Sequence, residues 1–114
     1  MGKIILHGST PSKKNSRINT RSGRSFPSAK YTAWHKDASL QLPRDIKIPS
    51  GGLITITFVA GDNRKFDLSN KAESILDMLV DNDVLEDDNY SIVSQLHLHF
   101  GGVEKNNAHC IIEY

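Results

Sequence analysis

The hydrophobic positions of the chain follow two different periods, one typical of strands and one typical of helices. Strands are predicted over residues 3–7, 53–60, 92–100 and 108–114, where apolar and β-branched residues cluster or alternate with polar ones. Gly101-Gly102 and Asn106-Asn107 lie around the connection between the last two strands and predict a hairpin there. The alternation over residues 92–100 predicts a strand with one solvated face.

Two helices are predicted from apolar residues spaced three and four positions apart. The first begins after Ser28, a suitable N-cap, and ends before Pro43. Its apolar stripe consists of Tyr31, Trp34, Ala38 and Leu42. At this spacing, the aromatic side chains of Tyr31 and Trp34 are expected to pack in the core rather than to stack on the bases of a nucleic acid. The second helix follows Asp67. Its apolar stripe consists of Ala72, Ile75, Leu76, Leu79 and Val80.

The order of these elements predicts an α+β fold, in which a small mixed or antiparallel sheet has two helices packed on one face. With 114 residues, the chain is long enough for one core without disulfides, so a single domain is expected over residues 1–114. The single cysteine, Cys110, lies in an apolar run and is expected to be a buried, inert thiol.

The composition indicates a protein of the reducing cytoplasm. The hydrophobic share of 38% and the charged share of 24% are ordinary for a globular protein. The sequence has no apolar run of the ~18 residues that a membrane span requires. Its first residues resemble neither a secretory signal nor a myristoylation signal. No membrane partner is therefore expected.

The net charge of +1 conceals a strong separation of charge along the chain. Residues 1–47 hold ten basic residues and two acids, a net charge of +8, whereas residues 61–90 hold nine acids and three basic residues, a net charge of −6. A basic segment indicates a polyanionic partner, and clustered carboxylates indicate a divalent cation. An enzyme that cleaves nucleic acid requires both.

The basic segment contains a long polar stretch, residues 9–27, which has neither a helical nor a strand period. It is expected to form a loop with at most a minor hairpin. Two interpretations stay open, an ordinary solvated loop and a loop that grips phosphates, and the lack of nearby acids favours the second. The residues that would contact phosphates are Lys13, Lys14, Arg17, Arg21 and Arg24.

The acids around the second helix allow two explanations. In the first, Asp67 caps the helix, Asn70 and Glu73 form a capping box, and the other acids are solvated. This explanation leaves the adjacent Asp87 and Asp88 unaccounted for. In the second, carboxylates bind Mg²⁺ or Mn²⁺, cations that take a few such ligands and retain water. Charge alone does not decide between them.

Three segments of the chain carry a family resemblance. They are Asp67-Leu68-Ser69-Asn70, the pair Asp77 and Leu79, and Val84-Leu85-Glu86-Asp87-Asp88. These segments resemble the RusA family of Holliday-junction resolvases, and Pro11-Ser12-Lys13-Lys14-Asn15-Ser16-Arg17 followed by Ser28 is similar to its N-terminal loop. The resemblance implies a small homodimeric, Mg²⁺-dependent endonuclease of phage or prophage type, which nicks four-way DNA junctions symmetrically.

The sequence departs from the family pattern at two positions. Ser69 stands where the family has a second acid, and Glu73 stands where many members have a lysine. Because Glu73 lies one turn past Asn70, we hypothesise that it supplies the missing carboxylate. Lys65 or Lys71 would replace the missing lysine as a contact to phosphate.

The resemblance thus implies a crossover-junction endodeoxyribonuclease of DNA recombination and repair, without a small-molecule cofactor. Its metal ligands would be Asp67, Asp87 and Asp88, with Glu73 as a further catalytic candidate. Its DNA contacts would be Lys13, Lys14, Asn15, Arg17, Arg21, Arg24, Lys65, Asn70 and Lys71. The alternatives are a junction-binding protein of the same fold that has lost cleavage, and a purely structural domain.

Overall fold

The computed structural model describes residues 2–13 and 17–114, and only the backbone of Arg17. These residues form six strands and two helices. In chain order they are β1 (Lys3–His7), β2 (Arg17–Asn19), β3 (Ser25–Pro27), α1 (Ala29–Gln41), β4 (Gly52–Ala60), α2 (Leu68–Asp81), β5 (Val93–Val103) and β6 (His109–Glu113).

The main sheet is mixed and contains four strands in the order β1-β6-β4-β5. Strand β6 runs antiparallel to both β1 and β4, whereas β5 runs parallel to β4 and forms one edge of the sheet. Strands β2 and β3 form a separate two-stranded hairpin. The predicted α+β class is confirmed, and so is a minor hairpin within residues 9–27.

Both helices pack on the same face of the main sheet. Along β4, every second side chain enters the core, so that Ile54, Ile56 and Phe58 are each at most 3% exposed. The stripe predicted for α2 lies on this core, and of its five members only Val80 is partly exposed. The spacing of apolar residues along α2 therefore predicted its buried face correctly.

Helix α1 begins and ends where its sequence predicts. The Ser28 hydroxyl accepts a hydrogen bond from the Tyr31 N–H at 3.1 Å, and Leu42 is the C-cap, directly before Pro43. Tyr31 is buried and Trp34 is half-buried against the core. The expectation that these aromatic residues belong to the core is confirmed.

The prediction of a hairpin between the last two strands is wrong. Strand β4 lies between β5 and β6, and the connection between them crosses the end of β4. There the N–H groups of Glu104 and Asn106 donate to the carbonyls of Ala60 and Gly61. A Cβ at Gly61 would lie 3.2 Å from the Cβ of Ala108, so glycine allows this close crossing. Turn residues indicate where a chain reverses, but they do not show which strand becomes its neighbour.

Strand β5 is more exposed than its alternating sequence predicts. Leu96 is 37% exposed and Phe100 is 56% exposed, although both are on the side of the sheet that the helices cover. These side chains are exposed because β5 is an edge strand, which has a neighbouring strand on one side only.

Cys110 is buried at 1% exposure in the middle of β6, as expected. Burial raises the pKa of its thiol to about 12, which keeps the sulfur protonated and unreactive at neutral pH. Among the described residues, no helix is long and apolar enough to cross a membrane.

Candidate functional site

Asp67 lies where the loop after β4 meets α2. It occupies the N-cap position but makes no side-chain capping bond; its Oδ2 instead accepts a hydrogen bond from Asn70 Nδ2 at 3.1 Å. The capping box suggested for Asn70 and Glu73 is wrong, because the helix begins at Leu68 and places Asn70 within its first turn. The exposed Asp67 carboxylate therefore keeps its capacity to bind a cation.

Glu73 does not lie beside Asp67 on the helix. Six residues separate them, which corresponds to about 9 Å along the axis and about 120° of net rotation around it. Both side chains are exposed, as is Ser69. The hypothesis that Glu73 supplies the missing carboxylate stays a prediction, and the local geometry of a single chain does not favour it.

Asp87 and Asp88 lie in the exposed connection between α2 and β5. Asp87 Oδ1 accepts a hydrogen bond from the Asp88 N–H at 2.7 Å, and its Oδ2 accepts one from Asn89 Nδ2 at 3.0 Å. These bonds, the one from the Asp88 backbone above all, hold the pKa of the Asp87 carboxyl below its usual value. Asp87 thus orders the turn that presents the exposed carboxylate of Asp88.

The two groups of predicted metal ligands lie at opposite ends of α2. Asp67 precedes this 14-residue helix, and Asp88 follows it in a segment held near the start of β4, where the Ser50 hydroxyl donates to Glu86 at 3.4 Å. At 1.5 Å per residue, such a helix is about 21 Å long. Within residues 2–13 and 17–114, no three His, Cys, Asp or Glu side chains are grouped closely enough to hold a metal ion. In one chain, Asp67 and Asp88 are therefore separated by the length of α2.

The part of the N-terminal loop that ends at Lys13 is attached to α2. Lys13 Nζ forms an ion pair with Asp77 Oδ2 at 2.5 Å and lies 5.1 Å from the centroid of the Tyr31 ring. The hydrogen bond to Asp77 raises the pKa of Lys13, so the ammonium stays charged at neutral pH. The buried Ser74 hydroxyl donates to the Pro11 carbonyl at 2.8 Å. Lys13, predicted to contact DNA, is therefore already paired with an acid.

The Lys13–Asp77 pair leads to a first testable prediction. Replacing Asp77 by asparagine is expected to strengthen binding to a four-way junction severalfold at low salt, because it releases Lys13 to pair with a phosphate. The pair is partly exposed, so the loss of unfolding free energy should stay below ~1 kcal/mol. Fluorescence anisotropy with a labelled junction, at low and at physiological salt, measures the change.

Asp81→Asn is the matched control, because it removes one acid from the same helix without releasing Lys13; Asp81 pairs with His35. A gain for Asp77→Asn but not for the control would identify Lys13 as the cause. Equal gains for both variants would instead show a general effect of charge and contradict the assignment.

The arginines of the loop, Arg17, Arg21 and Arg24, lie on the β2–β3 hairpin. Arg21 and Arg24 are exposed at its turn, where the Thr20 N–H donates to the Arg24 carbonyl. Beside them, Ile18 and Phe26 form a directly paired apolar couple, each 44% exposed. Two other predicted contacts, Lys14 and Asn15, and the side chain of Arg17, lie outside the described residues. The hairpin thus presents positive charge next to an exposed aromatic ring.

A cavity of about 680 Å³ opens where the ends of β1 and β4 meet the beginnings of β6, α1 and α2. We call it the basic cavity, because its charged lining residues carry a net charge of +3. They are Lys30, Asp62, Arg64, Lys65 and Lys71. The single acid among them, Asp62, already forms an ion pair with Arg64 at 3.0 Å.

Lys71 is the least solvated cation of the basic cavity. Its side chain is half-buried, and Nζ lies 4.1 Å from the centroid of the Phe66 ring. Burial lowers its pKa; Asp62 opposes this shift, while Lys30 and Arg64 lower the pKa further. None of the three ion pairs in the described part of the chain includes Lys71.

The sequence pointed to part of this cavity and missed the rest. Lys65 and Lys71 were expected to contact DNA, whereas Lys30 and Arg64 were not singled out. The only local signal for Lys30 is its position two residues after the N-cap Ser28, at the beginning of α1. Phe66 lines both the basic cavity and a smaller, mostly apolar cavity of about 400 Å³, which reaches Phe100 on β5.

The fold and this site define the class of protein: a small α+β protein with a basic cavity and an exposed carboxylate, Asp67, that follows the cavity residue Phe66 in the chain. A comparison with protein-family models finds no match, and no curated protein matches the chain at a significant level. The case for a particular activity therefore rests on the residues and on the family resemblance of the sequence.

Proposed function

We propose that the protein is a Mg²⁺-dependent endodeoxyribonuclease of the cytoplasm that resolves four-way DNA junctions as a homodimer. The observation that carries this proposal is the exposed Asp67 carboxylate, which accepts a hydrogen bond from Asn70 instead of capping α2 and directly follows Phe66, a residue of the basic cavity, in the chain. An exposed carboxylate next in sequence to a cavity lined by cations suits a reaction in which a divalent metal and positive side chains face the same phosphodiester. The resemblance to the RusA family supplies the reaction type.

The carboxylates of Asp67 and Asp88 fit the ligand chemistry of Mg²⁺, which binds through one or two carboxylates and retains several waters. When bound, the metal would supply a water of lowered pKa and neutralise charge that develops on the phosphodiester. Asn70 holds the Asp67 side chain, and Asp87 orders the turn that carries Asp88. The cavity and the hairpin arginines would bind the DNA backbone.

The positions of the acids support a homodimer. Because Asp67 and Asp88 lie at opposite ends of α2, a metal ligated by both needs Asp67 of one copy and Asp88 of another. A two-fold dimer would contain two such sites, as paired nicks in opposing strands require. The edge strand β5 is a suitable interface, since its 11 residues VSQLHLHFGGV include no lysine, acid or proline that would discourage pairing with another strand.

Nicking of a labelled four-way junction in Mg²⁺ tests the proposal. We expect paired cuts in opposing strands, and no cuts in a linear duplex of the same sequence. Junction binding should weaken steeply as salt rises, because each phosphate contact releases bound counterions. Sedimentation equilibrium of the free protein should show the dimer. A monomer that neither binds nor cuts the junction would refute the proposal and leave a structural domain.

A junction-binding protein without cleavage is the second candidate. It is favoured by Ser69, a poor metal ligand in place of the family's second acid, and by the dispersal of the carboxylates within one chain. Binding without nicks in Mg²⁺ and in Mn²⁺ would support this candidate over the enzyme.

A further inference from the structure

The basic cavity holds more positive charge than the described protein groups neutralise. Its only acid, Asp62, is paired with Arg64 two residues away, which leaves Lys30, Lys65 and Lys71 around one opening. Like charges that share a cavity repel one another, and partial burial strengthens the repulsion. Such an arrangement destabilises the free protein unless an anion enters.

Lys71 shows this cost most directly. Its half-buried ammonium lies against the Phe66 ring, and both burial and the neighbouring Lys30 make the charged form less favourable. A lysine without a binding role would be more stable if its ammonium group reached solvent or paired with an acid. A lysine held in this state is ready for a ligand that brings negative charge, since the anion would offset the repulsion and replace the lost water.

The size of the cavity fits a phosphate together with the sugar attached to it. A volume of about 680 Å³ falls within the range of about 300–1,000 Å³ typical of small-molecule sites. The two lysines come from the first turns of α1 and α2, so the packing of the helices holds both backbones in place.

We propose that the basic cavity is a phosphate-binding site in which Lys30 and Lys71 are the principal cations, and that its ligand is a backbone phosphate of the DNA next to the one cleaved. The phosphate chemistry stands on the cavity alone. Its assignment to DNA rests on the proposed function, with Asp67 lying between the cavity residues Phe66 and Lys71 in the chain.

Two variants and a matched control test the site on the full chain. Lys30→Gln and Lys71→Met each remove one charge from the cavity, and Lys3→Gln removes one exposed charge at the opposite end of β1. Anisotropy with a four-way junction in Ca²⁺ should show a loss of affinity of about tenfold for each cavity variant and a decrease of about one in the salt slope. Lys3→Gln should change affinity less than about twofold.

The stability of the variants separates a lost contact from a lost fold. Removing a desolvated, unpaired charge should leave the melting temperature of Lys71→Met unchanged or higher. A variant that carries both Lys30→Gln and Lys71→Met should lose less binding free energy than the two single variants lose in sum, because the two lysines share one phosphate. If Lys30→Gln and Lys71→Met each lost no more junction affinity than Lys3→Gln does, and if their losses were additive, the proposal would be overturned.

Titration with inorganic phosphate and with thymidine 5′-phosphate, followed by ¹H–¹⁵N NMR, distinguishes the sources of phosphate. Shifts at the Lys30 and Lys71 amides that disappear in both variants support the site.

If these shifts occur while junction affinity is unaffected by either variant, the ligand is a free phosphate or nucleotide, and the DNA assignment is overturned. If wild-type protein shows the shifts but neither binds nor cuts a junction, the proposed function fails and the phosphate site stands. If the wild-type protein cuts junctions but shows no phosphate-induced shifts, and both cavity variants bind the junction as tightly as Lys3→Gln does, the phosphate site is refuted and the proposed function stands.

Discussion

Replacing Asp67 or Asp88 by asparagine is expected to abolish nicking of a four-way junction while binding persists. Asparagine keeps the size of the side chain and removes the charge that would hold Mg²⁺. We expect the nicking rate to fall more than about 100-fold. Substituting residues that only support the metal ligands already costs about 10–100-fold in activity, and Asp67 and Asp88 would be ligands themselves. Gel analysis of nicked strands measures the rate, and anisotropy in Ca²⁺ confirms that the junction is still bound.

Asp45→Asn serves as the matched control for these variants. Asp45 is an exposed acid in the connection after α1, and its backbone has φ of 59°, a conformation that asparagine adopts readily. Its replacement should leave both nicking and binding unchanged. A comparable loss of nicking in this control would show that the assay responds to overall charge rather than to the metal ligands.

Mixing the two inactive variants tests whether the site forms across two chains. In a mixed dimer, a composite site would combine Asp67 of the Asp88→Asn chain with Asp88 of the Asp67→Asn chain, so that one of the two sites is intact. Co-refolding the two proteins should therefore restore single nicks, whereas each variant alone stays inactive. If both ligands acted within one chain, no mixture could contain an intact site. Absence of any recovered nicking, with dimer exchange verified by labelled subunits, would contradict the composite site.

The second large effect is expected in the core. Ile56 is 0% exposed in the middle of β4, where it pairs with Leu98 on β5 and Ile112 on β6. Ile56→Ala leaves a cavity beneath both helices, and we expect a loss of about 2–5 kcal/mol in the free energy of unfolding. Urea denaturation followed by tryptophan fluorescence measures the loss, since Trp34 packs against this core.

Leu40→Ala provides the comparison for the core variant. Leu40 is 77% exposed on α1, so its truncation removes little buried surface and should change the unfolding free energy by less than about 0.5 kcal/mol. Similar losses for both leucine and isoleucine truncations would contradict the packing described for β4.

The local elements of the fold could be read from the chain before any tertiary contact was known. The stripe of α2, the Ser28 cap of α1 and the β-branched run of β4 were each predicted within a residue or so of their observed positions. A buried helix face needs apolar residues at every third or fourth position, and a capped helix needs a side-chain acceptor at its start. These requirements are local, so the sequence states them directly.

The candidate acids were also identified from the sequence, but their spatial relation was not. Charge clustering and the family resemblance single out Asp67 and Asp88. Their separation by the length of α2, and the pairing of Lys13 with Asp77, depend on where the helix lies relative to the sheet and the loop. A sequence pattern records which groups are present, whereas distances between them follow from packing.

By itself, the sequence determined the two helices, the four strands of the main sheet, the buried face of α2 and the chemical character of the acidic and basic segments. Only the tertiary structure decided that β4 separates β5 from β6, that β5 is left as an exposed edge, and that the basic cavity joins Lys30 to Lys71. The physical reason is that strand order and cavity lining are set by contacts between residues far apart in the chain. Many pairings of these elements satisfy the same local periodicities, and the combined burial of one shared core selects among them.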